Sequence, residues 1–200
     1  MADDRELLER WRGGDRDAGQ ALFERHFESI YGFFVNKCES EVDELVQATF
    51  LACVRAREQF RGDSSFRTYL FTIARHELYR ALRTLRRDGD RLDFLETSLA
   101  ELVTTPATRL GRNADHKRLL EAMSTLPVEQ QLLLELHYWE DTDITALATI
   151  FEAPAVTVRS RLHRARKALR ARLEAGPMER AVDESDEGFD QWARSVATRE

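Results

Sequence analysis

The sequence lacks any run of about 20 apolar residues, the length that a helix needs to cross a bilayer. Its first residues, Met1–Arg12, are polar and acidic and lack the apolar stretch of a secretory signal. A third of all residues are charged and 42% are apolar, as in ordinary water-soluble proteins. We therefore expect a cytoplasmic protein with no membrane insertion.

Cysteine is scarce and offers no basis for a metal site or a disulfide framework. The chain has only two cysteines, Cys38 and Cys53, and its five histidines show no ligand spacing. A glycine-rich phosphate loop and a nucleophile elbow are both missing. We therefore expect two buried core thiols, no metal, no cofactor, no small-molecule substrate and no enzymatic activity.

The net charge of −6 argues against nucleic-acid binding until its distribution is considered. Residues 153–173 carry seven bases and no acid, and residues 55–91 carry ten bases and five acids. Three acidic segments flank these two basic ones. Because the local field decides which surface contacts phosphate, both basic segments are candidates for nucleic-acid contact.

Apolar residues recur at helical spacing through residues 15–87, which predicts three or four packed helices behind a short helix near Asp4–Arg12. The segment Arg61–Ser65 has turn chemistry, and Ser64 or Ser65 is expected to cap the next helix. Residues 88–112 are typical of an acidic linker with one helical turn at most.

Residues 114–175 are again helical in pattern, with Pro127 at a helix start. A short helix, Ile144–Phe151, is followed by a turn and by a longer helix from Ala155 to about Leu173. This order is typical of a helix-turn-helix, with the second helix in the major groove. The acidic tail after Gly176 is either solvated and disordered, or docks through Phe189, Trp192 and Val196 on a domain or a partner, where its charge would shield the basic helix.

The last long helix carries donors that suit phosphates and base edges, whereas exposed helices normally mix charges of both signs. In the first domain, His76 and Tyr79 lie among Arg75, Arg80 and Arg83. Aromatic rings among arginines can stack on unpaired bases while the cations hold the nucleic-acid backbone. The same pattern also fits an aromatic residue of the core beside solvated arginines at the edge of the helix. The acidic residues 41–44 open a helix, where carboxylates stabilise the positive end of the helix dipole. That structural role is sufficient by itself, and contact with a protein partner is a possible addition to it.

Four segments together resemble sigma factors of the extracytoplasmic-function group, over about residues 15–175. ELVQATFL at residues 44–51 is similar to the DLVQETF signature of region 2, and FRTYLFTIARH at 66–76 to FRTWLYTIARN. LPVEQQ at 126–131 resembles the opening of region 4, and VTVRSRLHRARKAL at 156–169 its GTVKSRLHRARKAL. Their order and spacing also agree with the family, whose larger relatives carry a further domain for which this linker is too short.

The resemblance implies an all-α protein of two small helical domains on a flexible linker: region 2 (1–87), linker (88–112), region 4 (113–175) and an acidic tail (176–200). Region 2 would bind core RNA polymerase through Asp43, Glu44, Leu45, Gln47, Thr49 and Phe50. It would open and hold the promoter −10 element through Arg61, Asp63, Ser64, Ser65, Phe66, Tyr69, Arg75, His76, Tyr79, Arg80 and Arg83. Region 4 would read the −35 element through Val156, Thr157, Arg159, Ser160, Arg161, His163, Arg164, Arg166 and Lys167.

The implied function is promoter-specific transcription initiation, with core RNA polymerase, promoter DNA and an anti-sigma factor as partners. The alternatives are a helix-turn-helix regulator that acts without polymerase, and a decoy that sequesters an anti-sigma factor. The chain departs from the family in having Tyr69 for Trp, His76 for Asn, Glu152 for the Gly of the helix-turn-helix turn, and Val156 for another Gly. From Glu152 we expect a turn that needs no positive φ.

Overall fold

The computed structural model describes residues 2–85, 92–102, 114–175 and 186–197. In these ranges the chain is α-helical and forms no β-strand, apart from one isolated bridge between Ser98 and Pro127. The described residues divide into two compact units. The first ends at Thr84 and includes Thr149–Glu152, and the second takes the remaining residues from Leu85 onward.

The first unit contains four helices: α1 (Asp4–Arg12), α2 (Arg16–Val35), α3 (Val42–Ala56) and α4 (Phe66–Leu85), with one 3-10 turn at Glu39–Glu41 before α3. Their apolar stripes meet in a core whose most completely buried side chains are Leu22, Ile30, Phe34, Leu70, Phe71, Ala74, Leu78 and Leu82. The short first helix and three or four packed helices after it were predicted; the structure confirms the short helix and has three helices after it.

Side-chain caps fix where α1, α2 and α4 begin. Asp3 accepts a hydrogen bond from the Glu6 amide at 2.8 Å, and Asp15 accepts one from the Ala18 amide at 3.1 Å. The Ser65 hydroxyl accepts from the Thr68 amide at 3.1 Å, so Ser65 caps α4 as predicted. Each cap satisfies an amide that has no partner within the helix.

Among the described residues beyond α4, six further helices follow: α5 (Leu99–Leu102), α6 (Ala114–Ser124), α7 (Val128–Tyr138), α8 (Ile144–Ile150), α9 (Ala155–Glu174) and α10 (Asp186–Ala197). All of them lie in the second unit except the last two residues of α8. Prolines stand at the N-caps of α7 and α9, at Pro127 and Pro154. The buried face of α9 is formed by Val158, Leu162, Ala165, Leu169 and Leu173, the stripe predicted from the spacing.

Part of the predicted linker packs against this unit. The Thr97 carbonyl accepts from the Val128 amide at 2.9 Å, and the Phe94 carbonyl accepts from the Glu129 amide at 3.1 Å. These two carbonyls satisfy amides at the start of α7, and the side chains of Phe94 and Leu99 are buried. The single helical turn expected here is α5, but residues 92–102 are not a free connection. The remainder of the linker lies outside the described residues.

Candidate nucleic-acid and protein interfaces

A groove of about 840 Å³ crosses the surface of α1, α2 and α3 in the first unit. Its floor is aromatic: the Phe50 ring lies 4.8 Å from that of Phe23, and the Phe23 ring lies 5.1 Å from that of Trp11. Along it, Phe27 and Leu51 are 47% and 46% exposed. Neighbouring large apolar side chains with this exposure mark a surface suited to a protein partner.

The rim of the groove is polar and mainly acidic. Asp43 and Glu44 are exposed in the first turn of α3, with Gln47 one turn further on. Carboxylates there stabilise the positive end of the helix dipole and leave a negative field beside an apolar floor. Such a surface suits an amphipathic segment with apolar and basic side chains.

Of the six residues predicted to bind polymerase, the structure brings four to this groove: Asp43, Glu44, Gln47 and Phe50. It places the other two in the interior. The Thr49 side chain is fully buried and its hydroxyl donates to the Leu45 carbonyl at 2.8 Å, while Leu45 is 7% exposed. In this structure Leu45 and Thr49 therefore pack α3 against its neighbours and do not line the groove.

Sequence reasoning missed most of the residues that line the groove. Trp11, Phe23, Phe27, Leu51 and Val54 line it, yet their helical spacing is equally that of core residues. Only the packing of α1 across α2 and α3 distinguishes a half-exposed aromatic from a buried one.

A second pocket of the first unit, of about 480 Å³, lies between α1 and the loop Arg61–Phe66. Gly62 takes φ of +80°, a conformation that favours glycine. Arg12 holds α1 to this region by donating from Nε and Nη2 to the Arg57 carbonyl, at 3.1 and 2.9 Å. Asp4, on the α1 wall, pairs with Arg25 at 2.6 Å and with His26 at 2.7 Å.

The predicted −10 residues of this loop therefore line a preformed cavity rather than a flat surface. Arg61, Ser64, Ser65 and Phe66 contribute to its wall, with Phe66 largely buried. Asp63 is exposed but does not line it. The cavity is of a size usual for small-molecule ligands.

Further along α4 the predicted residues divide by exposure. The Tyr69 ring stacks on Phe60 at 4.6 Å, and burial raises the pKa of its hydroxyl. Arg75 is buried, with its guanidinium 5.3 Å above the Tyr79 ring, itself only partly exposed. His76, Arg80 and Arg83 are exposed, and the two arginines give the helix a cationic surface, with Arg80 also donating to Glu77 at 2.5 Å.

In the second unit, α9 exposes most of its predicted DNA-contacting face. Val156 is 67% exposed, and the other exposed members are Arg159, Ser160, His163, Arg164 and Lys167. Thr157 is partly exposed. Because no acid lies on α9 before Glu174, these side chains form a continuous basic surface opposite the buried stripe.

Two of the predicted cations have other partners. Arg161 Nη1 donates to Glu129 of α7 at 2.5 Å, and both side chains are mostly buried, at 24% and 11% exposure. Arg166 donates from Nε to the Tyr138 hydroxyl at 2.6 Å and from Nη2 to His137 Nε2 at 3.0 Å. These two arginines brace α9 against α7.

The His137 ring is held in one tautomer by its two contacts. Its Nδ1–H donates to the Thr142 carbonyl at 3.2 Å, so that Nε2 is free to accept from Arg166. Burial lowers the pKa of His137, and the positive charges of Arg166 and Arg194 lower it further.

The turn before α9 differs from the expectation. Glu152 has φ of +52°, in the left-handed region, so the prediction of a turn without positive φ is wrong. The Ala153 amide donates to the Ala148 carbonyl at 3.0 Å and closes the end of α8. This closure requires the left-handed residue that glycine supplies most easily, and Glu152 adopts the conformation at a cost.

Comparison with known proteins agrees with the two units. Residues 22–88 match sigma-70 region 2 and residues 116–169 match sigma-70 region 4. The RNA polymerase sigma-H factor of Pseudomonas aeruginosa is 30% identical over 83% of this chain and 91% of its own length. The ECF RNA polymerase sigma-E factor of Escherichia coli K12 is 27% identical over 83% of this chain and 92% of its own length.

Two solved structures share the fold. CnrH, in complex with the cytosolic domain of CnrY, is 25% identical with a TM-score of 0.66, over 87% of this chain and 99% of its own. The sigma factor RpoE of Bartonella quintana, in complex with the anti-sigma factor NepR, is 21% identical with a TM-score of 0.60, over 79% of this chain and 98% of its own, a likeness of fold alone. The matched regions and the relatives agree, and the chain belongs to the sigma-70 family of RNA polymerase sigma factors, in its extracytoplasmic-function group.

Proposed function

We propose that this chain binds core RNA polymerase through the groove of α1, α2 and α3 and directs it to promoters with paired −10 and −35 elements. The groove carries the proposal, because an apolar floor beside an acidic rim is a built protein-docking surface in the region that matches sigma region 2. Its partner would be a helical segment that presents apolar side chains to Phe50 and basic ones to Asp43 and Glu44.

The −10 element would meet the pocket beside Arg61–Phe66 and the cationic face of α4. A base extruded from the duplex would enter the pocket, while Arg80 and Arg83 hold the neighbouring backbone. Extrusion costs a few kcal/mol per unstacked base, which pocket and backbone contacts offset. Initiation at this step requires binding and positioning and no covalent chemistry.

The −35 element would receive the start of α9 in its major groove. Val156, Thr157, Arg159 and Ser160 lie in the first turns, where such helices approach base edges. His163, Arg164 and Lys167 are placed for the phosphate backbone. The mostly buried Arg161 would act through the packing of α9 and not as a principal DNA contact, and Arg166 is held by side chains of α7 and α10 in this state.

An anti-sigma factor is the third proposed partner. The Bartonella quintana RpoE was solved with the anti-sigma factor NepR, and CnrH was solved with the cytosolic domain of CnrY. A partner that covers the groove of α1, α2 and α3 would prevent polymerase binding, which would make the apolar floor the surface for which both compete.

The test is transcription reconstituted from purified core polymerase, this protein and a library of promoter fragments. Wild type should give transcripts that start downstream of a shared pair of elements, and Gln47→Ala with Phe50→Ala should abolish them. Arg55→Ala is the matched control, since Arg55 is exposed on the same helix outside the groove.

The alternatives give different results in the same assay. Duplex binding without polymerase association would make the chain a regulator that acts alone. Binding to an anti-sigma factor without binding to polymerase or DNA would make it a decoy.

A further inference from the structure

The C-terminal helix α10 is docked on the second unit against α6, α7 and α9. Phe189 is fully buried and Ala193 is 2% exposed, so one face of α10 belongs to the core of this unit. The Phe189 ring meets Tyr138 edge to face at 6.4 Å and lies 5.9 Å from Trp192. The side chain of Val196 lies outside the described residues.

This docking engages the basic helix directly. Asp190 accepts a hydrogen bond from the Tyr138 hydroxyl and another from Arg166 Nη2 at 3.4 Å. The guanidinium of Arg170 lies 4.6 Å from the centroid of the Phe189 ring. Two of the seven bases of residues 153–173 are thus held by an acidic and an aromatic side chain of the tail.

A further contact lies toward the other end of α10. Arg194 Nη1 donates to Asp141 at 2.7 Å, and its guanidinium lies 5.8 Å from the Tyr138 ring. The Asp141 and Arg194 side chains are 84% and 44% exposed, so their pair stabilises little. The attachment of α10 therefore depends chiefly on Phe189 and Asp190, which makes it separable by single substitutions.

We propose that α10 is an intramolecular inhibitor of duplex binding by α9, and that it competes with DNA phosphates for Arg166 and Arg170. The two arginines lie four residues apart on one side of α9, about one and two turns beyond His163 and on the same flank as Arg159. While α10 is docked, Asp190 neutralises Arg166 and the Phe189 ring lies against the guanidinium of Arg170. When α10 leaves, both guanidinium groups can contact phosphate.

The inference rests on the proposed function, because it presumes that α9 binds duplex DNA. It goes beyond that function by giving the acidic tail a role. Since a ligand that binds better to the undocked form must favour that form, promoter DNA should itself release α10.

The experiment compares full-length variants for binding to a promoter duplex by fluorescence anisotropy across a series of salt concentrations. Phe189→Ala removes the buried anchor, and Asp190→Asn removes the charge that neutralises Arg166 while keeping the shape of the side chain. Gln191→Ala is the matched control, because Gln191 is exposed on the same helix. Circular dichroism of each variant reports whether the unit remains folded.

Phe189→Ala is expected to bind the duplex about fivefold more tightly, the lower end of typical coupling between two sites. Two further phosphate contacts should steepen the slope of log affinity against log salt by about 1.8. Asp190→Asn should move both quantities in the same direction by a smaller amount, and Gln191→Ala should match wild type.

The proposal would be overturned if Asp190→Asn bound the duplex with the affinity and the salt slope of wild type, and if Phe189→Ala either did the same or unfolded. In that case α10 would be a purely structural helix. If no variant binds any duplex, the proposed function of region 4 fails and the inhibition fails with it. Duplex binding that is indifferent to α10 overturns the inhibition alone.

Discussion

The indole of Trp11 lies against the backbone of Gly19, so that a Cβ at position 19 would stand 2.5 Å from the ring carbon Cδ1. Glycine is required here by the close approach of α1 to α2. The contact places Trp11 at one end of the groove that we assign to polymerase.

Gly19→Ala should therefore destabilise the first unit and weaken polymerase binding together. Overpacking costs about 1–3 kcal/mol, and alanine returns up to about 1 kcal/mol through helix propensity, which leaves a net loss of about 1 kcal/mol. Urea unfolding and a polymerase-binding assay would measure the two effects. Gln20→Ala trims the groove rim without moving Trp11, and its unfolding midpoint should stay close to that of wild type.

Glycine should tolerate the left-handed backbone at position 152 better than alanine does. Glu152→Gly and Glu152→Ala both remove the side chain and differ in their tolerance of positive φ, so the comparison isolates the backbone term. We expect the glycine variant to be more stable than the alanine variant by about 1 kcal/mol in denaturant unfolding. Equal stabilities would mean that the turn relaxes to another geometry.

Arg159 and Arg161 should respond differently to charge reversal, although both lie on α9. Arg159→Glu removes an exposed cation and should weaken duplex binding with little change in thermal stability. Arg161→Glu places a second carboxylate beside the mostly buried Glu129 and should cost about 3 kcal/mol of folding free energy. Thermal melts combined with duplex titrations distinguish the two, and a fully stable Arg161→Glu would contradict the bracing role.

Stability should fall as the pH is lowered through the ordinary histidine range, because the pKa of His137 is lower in the folded protein than in the unfolded chain. Between these two pKa values the unfolded state binds more protons, so the free energy of unfolding decreases from the value that it holds above pH 6.5. The charged and titratable groups around the ring are Arg166, Arg194, Asp190 and Tyr138. His137→Gln should flatten this part of the stability curve, and an unchanged slope would exclude the linkage.

Both cysteines should be inert towards thiol reagents in the folded protein. Burial raises the pKa of Cys53 to about 12 and that of Cys38 to about 11, so the thiolate is scarce at neutral pH. We expect modification only after denaturant unfolds the chain. Fast labelling of native protein would indicate local opening of α3 or of the segment before it.

Helical spacing was sufficient to predict most of the elements. The stripe Val158, Leu162, Ala165, Leu169 and Leu173 is buried as its period required, and Ser65 caps α4 as its turn chemistry indicated. Such signals are local, because they depend on residues within a turn or two of one another.

Predictions about surfaces were less complete, since exposure depends on residues far apart in the chain. Thr49 fits the binding motif in sequence but is buried by neighbouring helices, whereas Phe27 fits a core stripe and is 47% exposed. Arg166 reads as a DNA contact by type and spacing, yet it is held by Tyr138, His137 and Asp190 from two other helices.

The sequence by itself determined the helices, their caps, the segregation of charge and the motifs of the sigma family, all of which reside in residue type and short-range order. Tertiary structure alone decided the groove of α1, α2 and α3 with Trp11, the left-handed turn at Glu152 and the docking of α10. These features arise where separate helices meet, and the energies of such contacts depend on packing distances that no local pattern encodes.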